Sequence, residues 1–105
     1  MRKLAHVMLV GAAIASSNFA ACADAVEDFY KGKSITIMIG YGAGGSDDLW
    51  ARLLGRHMNR FMPGNPTIVP QNVPGAGSLV AANQAFKTAP KDGTVMALIN
   101  RGVPF

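Results

Sequence analysis

The sequence predicts an α/β fold: a parallel sheet built in the chain order βαβαβ. Three observations predict it. Ser34–Ile39 is β-branched and continuously apolar, as suits a strand covered on both faces of a parallel sheet. Two stretches, 46–62 and 78–87, carry apolar residues at three- and four-residue steps, the helical period. Each follows a strand and a glycine-rich loop, and strands that alternate with helices in this way form parallel sheets with right-handed crossovers.

The chain has 105 residues, enough for one small domain. Its opening does not read as part of the fold. Arg2 and Lys3 precede the apolar run Leu4–Ala15, broken only by His6. Small residues follow, ending in Ala21-Cys22-Ala23, an A-x-A cleavage signal before Asp24. That three-part order predicts a secretory signal peptide over residues 1–23 and a periplasmic destination. The apolar run is shorter than the roughly 20 residues that span a bilayer. Phe19-Ala20-Ala21-Cys22 also resembles a lipobox, with Cys22 as the acylated residue, but Phe19 stands where Leu is usual. Cys22 is the single cysteine, so cleavage before Asp24 would leave neither a disulfide framework nor a thiol nucleophile.

Asp24–Ser34 reads as a polar lead-in, with Phe29-Tyr30 packing at the domain edge. After the first strand, the helix from Ser46 to Met62 presents Leu49, Trp50, Leu53, Leu54, His57, Met58 and Phe61 as one apolar stripe. Arg52, Arg56 and Arg60 form a second, solvated stripe. Ser46 is the expected N-cap, with Asp47 and Asp48 in the first turn, where the helix dipole favours negative charge. Asp48 sits four residues before Arg52, the better orientation for an ion pair. Gly55 costs about 1 kcal/mol in mid-helix relative to Ala and so marks a close contact. Pro63-Gly64 stops the helix. Thr67–Asn72 is the second strand, and Pro70 near its end implies that this part lies at an edge or leaves the ladder early. A second helix runs from Ser78 to Lys87, Pro90–Gly93 is a turn, and Thr94–Ile99 is the third strand.

The formal net charge is +4, and Arg2 and Lys3 of the leader supply part of it. No basic run is interleaved with aromatics, so nucleic-acid binding is not expected. Catalysis has little support. His57 is expected to pack or cap, and no His/Cys cluster or Ser/His/Asp arrangement stands out.

The loop Gly40-Tyr41-Gly42-Ala43-Gly44-Gly45 formally satisfies G-x-G-x-x-G between a strand and a helix. A dinucleotide site also needs an acidic residue at the end of the second strand, and none occurs from Leu49 to Lys91. A P-loop needs Gly-Lys-Ser/Thr, where this chain has Gly45-Ser46-Asp47. A small carboxylate fits better. Gly44-Gly45-Ser46 and Gly75-Ala76-Gly77-Ser78 each open a helix, and helix starts offer free N–H donors and a partial positive charge. Glycine lets the backbone approach a ligand, and Ser46 and Ser78 add hydroxyls. Asp47 and Asp48 would repel such a ligand if they faced it, so Asp48 is expected to cap the helix or pair with Arg52.

These residues resemble a known family. Phe29-Tyr30-Lys31-Gly32-Lys33, Ile39–Ser46, Asp48 with Ala51-Arg52-Leu53-Leu54, and Pro63-Gly64-Asn65-Pro66 carry the likeness. So do Val69, Asn72, Pro74–Ser78 and Ala89–Thr94. Together they resemble the substrate-binding receptors of tripartite tricarboxylate transporters, the Bug family. The resemblance implies an exported receptor of type II periplasmic-binding-protein-like fold, with two α/β domains around a cleft. It implies a di- or tricarboxylate or related organic anion as ligand and the membrane subunits of the transporter as partners. It implies no metal or organic cofactor. Ligand contacts would fall at Tyr41, Gly42, Ala43, Gly44, Gly45, Ser46 and Asp48, and at Gly75, Ala76, Gly77 and Ser78.

Gly40 and Gly42 stand where proline is frequent in the family. Residues 24–105 would then be the N-terminal part of the first domain, with the second domain absent. A piece of that size is expected to be marginally stable and to bind carboxylates weakly or not at all on its own. The remaining alternatives are a dinucleotide-binding α/β enzyme fragment and a small exported lipoprotein or interaction protein.

Overall fold

The computed structural model describes residues 22–103. Residues 22–30 are helical (α1), followed by β1 (Ser34–Ile39) and α2 (Ser46–Met58). A 3-10 turn at Asn59–Phe61 leads to β2 (Thr67–Asn72). A second short turn, Ala76–Ser78, precedes α3 (Leu79–Lys87), and β3 (Val95–Leu98) closes the series. The expected βαβαβ order is present. Residues 1–21, which carry most of the expected leader, lie outside the described residues.

The lead-in, given no secondary structure from sequence, is helical over residues 22–30. Val26, Phe29 and Tyr30 stand at helical steps, but the run is short, and its end is fixed by contacts that sequence does not display. The Lys31 N–H donates to the Glu27 carbonyl at 2.9 Å, and Tyr30 meets Phe29 edge to face. Lys33 Nζ sits 3.6 Å from the centre of the Phe29 ring. Gly64 lies against the same turn: a Cβ there would be 2.6 Å from the Glu27 oxygen and 2.7 Å from the Lys31 nitrogen.

The sheet is parallel, in the order β2-β1-β3. β1 is central, so the two crossovers run in opposite directions across it. Right-handed crossovers then place α2 and α3 on opposite faces. The register aligns Ile35, Ile37 and Ile39 with Ile68, Pro70 and Asn72 on one side. On the other side it aligns Ile37 and Ile39 with Met96 and Leu98. These residues form the α2 face, where Ile37, Ile39 and Ala51 make the core, joined by Tyr41, Ile68, Met96 and Leu98. Pro70 is tolerated because β2 is an edge strand. Gly55 makes the expected close approach, since a Cβ there would come within 3.0 Å of Ile68 Cγ2.

The buried face of α2 differs from the expected stripe. Asp48 and Ala51 are buried, while Leu49, Trp50, Leu53, Leu54 and Phe61 are exposed, Trp50 at 68%. The helix approaches the sheet along Asp48, Ala51 and Gly55, where small side chains permit close contact, and the large apolar residues flank that line. Trp50 and Leu54 instead line a cleft of about 270 Å³ with Ile37, Ala51 and Leu98. His57 is exposed and not packed as expected. The α-helix also ends at Met58, earlier than Met62, and tightens into the 3-10 turn before Pro63-Gly64.

Candidate functional site

The carboxyl ends of all three strands are tied together at Ile39–Gly40. The Val73 N–H donates to the Ile39 carbonyl at 2.7 Å, and the Gly40 N–H donates to the Leu98 carbonyl at 2.9 Å. Both glycine loops therefore leave from one edge of the sheet, the edge at which open α/β sheets take their ligands.

The first loop is exposed from Gly42 to Ser46. Gly44 has φ +87°, a left-handed conformation that a side chain would strain, and no atom lies within 4 Å of where a Cβ would point. The N-cap of α2 is Gly45 rather than Ser46, and no side chain caps it. Ser46 is the first helical residue, and its hydroxyl makes no hydrogen bond in the described chain. The first intrahelical bond runs from the Leu49 N–H to the Gly45 carbonyl, so the N–H groups of Ser46 and Asp47 are left at an open, uncapped helix start. Tyr41 differs from its neighbours: its side chain is half-buried against the Ile37–Ile39–Ala51 core.

Asp48 does not face the loop exterior. It is 3% exposed, and both of its oxygens are occupied. Oδ2 accepts the Gly44 N–H at 2.9 Å and Arg52 Nε at 3.0 Å. Oδ1 accepts Arg52 Nε at 3.0 Å and Asn72 Nδ2 at 2.8 Å. Arg52 Nη2 in turn donates to Asn72 Oδ1 at 2.8 Å, and Asn72 Nδ2 also reaches the Tyr41 carbonyl at 3.1 Å. The Gly44 amide, then Arg52 and Asn72, hold the Asp48 carboxyl at about 2, against an ordinary 3.8. Asp48 thus both supports the loop and pairs with Arg52. Arg52 leaves the solvated stripe for this pairing, while Arg56 and Arg60 stay exposed.

Asn72 is the member of this group that sequence did not reveal. It is the last residue of β2 and sits opposite Ile39, which turns it to the α2 face. The Asp48–Arg52 spacing is visible in the sequence, but the register that delivers Asn72 to it is not.

The second loop is built differently. Gly75, Ala76 and Gly77 are exposed. Ala76, Gly77 and Ser78 have φ of 46°, 58° and 76°, three successive left-handed residues of which two carry a Cβ. Left-handed helical geometry costs roughly 1–2 kcal/mol per residue with a Cβ, so this turn is held by its surroundings. Ser78 supplies the hold. It is 1% exposed, and its Oγ donates to the Gly40 carbonyl at 3.0 Å. Its hydroxyl joins the two loops and is not presented at the surface, contrary to the expectation that it is offered to a ligand. The Leu79 N–H is likewise committed, to the Ala76 carbonyl.

Among the described residues, no group of three or more His, Cys, Asp or Glu is placed to hold a metal ion. No described helix is long and apolar enough to cross a membrane.

Fold and site define an α/β domain whose exposed glycine loops gather at the carboxyl edge of a parallel sheet. Over 91 residues the chain is 38% identical to the "UPF0065 protein in gbd 5'region" of Cupriavidus necator, a match covering 86% of this chain and 27% of that protein. It is 32% identical over 96 residues to "Protein BugT" of Bordetella pertussis, covering 91% of this chain and 28% of that protein. No family model matches, and neither does a solved structure. The chain is a homologue of the Bug-family proteins and spans little more than a quarter of the length of these relatives.

Proposed function

We propose that this chain carries part of the ligand site of an extracytoplasmic solute-binding receptor for small carboxylates, working with the membrane subunits of a tripartite tricarboxylate transporter. The role is binding, and the periplasm is its place of action. Homology to BugT supports this reading. The observation that carries it is the withdrawal of Asp48. The one buried carboxylate near the loop is neutralised by Arg52 and held by a hydrogen bond from Asn72, which leaves the open start of α2 free to accept an anion. Gly42–Ser46 and Gly75–Gly77 supply the exposed backbone of the site, Tyr41 packs beneath it, and Ser78 fixes one loop to the other.

The test is a titration of the protein, as produced from its gene, with succinate, citrate and NAD(P), followed by Trp50 fluorescence and thermal shift. Saturable stabilisation by the carboxylates alone is the expected result. Saturation by NAD(P) alone would instead favour a dinucleotide-binding protein, and a well-folded sample indifferent to every probe would favour an interaction protein.

A further inference from the structure

Asp48, Arg52 and Asn72 form a closed triangle in which each side chain bonds both others. The triangle grips the first glycine loop at two points, the Tyr41 carbonyl through Asn72 and the Gly44 N–H through Asp48. Between those grips Gly42 and Ala43 are exposed. The charges within the triangle cancel, one carboxylate against one guanidinium. A buried carboxylate without its partner would put a negative charge directly beneath the open helix start, where dielectric screening is weak.

We propose that Arg52 and Asn72 are positioning residues for the anion site: both clamp the loop from below, and Arg52 cancels the charge of Asp48 so that an anion is accepted above it. This rests on the carboxylate-binding reading of the same loop. It adds residues that touch no ligand yet decide which charge the loop accepts. Arg52 is the discriminating member, because removing it and removing Asp48 break the same triangle but leave opposite charges behind.

The experiment compares Arg52→Gln, Asp48→Asn and Asn72→Ala with the wild-type protein as produced from its gene. One readout needs no ligand. Amide hydrogen exchange at Gly44 is expected to accelerate at least about tenfold in Arg52→Gln and Asn72→Ala, relative to amides in β1 of the same sample. Unchanged Gly44 protection in both variants would overturn the clamp. The second readout is the affinity for succinate at low salt. Arg52→Gln is expected to weaken it about threefold or more, and Asp48→Asn to leave it unchanged or tighter, although both variants lose stability. Equal weakening by both would mean that the triangle acts only as structure, and would overturn the charge role. If wild type binds none of the carboxylates, the proposed function fails and the charge role fails with it. The exchange data then still decide the clamp.

Discussion

Ser78 Oγ sits 3.0 Å from the Gly40 carbonyl oxygen, and Gly40 leaves no room for a side chain beside it. A Cβ on Gly40 would lie 2.6 Å from Ser78 Oγ and 2.7 Å from Ser78 Cβ. Ser78 is buried and cannot swing clear. Gly40→Ala should therefore force the second loop away from the first and destabilise the protein by about 1–3 kcal/mol. Ser78→Ala should cost about 1 kcal/mol by leaving the carbonyl without its donor. Urea unfolding of the two variants measures both effects, and a neutral Gly40→Ala would show that the loops are not in contact.

The Asp48 carboxyl gives the protein a specific acid sensitivity. Its folded value is depressed to about 2 from 3.8, so folding favours the ionised form. The stability that follows is complete above 3.8 and is lost as pH falls from there towards about 2. Wild type should lose urea resistance across that window, and Asp48→Asn should show a flatter profile there from a lower starting point. Parallel profiles for the two proteins would place the acid-labile group elsewhere.

Polar substitutions on the exposed stripe of α2 should matter little to stability. Leu53→Ser and Trp50→Ser are expected to stay within about 0.5 kcal/mol of wild type, the usual range for surface positions. Ile39→Ala, in the core, should cost about 2–5 kcal/mol. Trp50 emission in the native protein should be close to that of a water-exposed indole and readily quenched by iodide. A blue-shifted, protected Trp50 would mean that the stripe is covered in solution.

Gly64 has φ +80°, and the space where its Cβ would go is filled by the backbone of Glu27, Tyr30 and Lys31. Those atoms belong to the end of α1 and the turn after it, which have no flexible side-chain tip to yield. Gly64→Ala should detach α1 from the turn before β2 and cost more than about 1 kcal/mol. Limited proteolysis within residues 22–33 should accelerate in the variant while cleavage within the sheet does not.

β1 was legible as a short apolar run closed by Gly40, and β2 and β3 as shorter apolar runs preceded by the turn signals Pro63–Pro66 and Pro90–Gly93. β1 and β2 fall on Ser34–Ile39 and Thr67–Asn72 as expected, and β3 is one residue shorter at each end than Thr94–Ile99. Family resemblance was legible for a different reason, the order of loop motifs along the chain, and homology bears it out. The buried face of α2 was not legible. Periodicity weights large apolar residues, but close approach to the sheet selected Ala51 and Gly55 and left Trp50 outside. The support of the candidate site was half legible: Asp48 and Arg52 are one helical turn apart, but Asn72 joins them only through strand register. The cap at Gly45 and the inward turn of Ser78 depend on backbone angles that residue types alone do not specify.

The central place of β1 bears on the order in which this chain can fold. Thr36 pairs with Thr94 and Val95 on one side and lies opposite Val69 on the other, so its partners are synthesised long after it. Loop closure over such separations is slow, and little of the sheet can be held before the segment up to Leu98 is available. Amides of β1 should then be the last to open in the native protein and late to gain protection on refolding. A nascent chain lacking β3 would remain loose, which is also the condition in which a polypeptide can be threaded through a narrow pore.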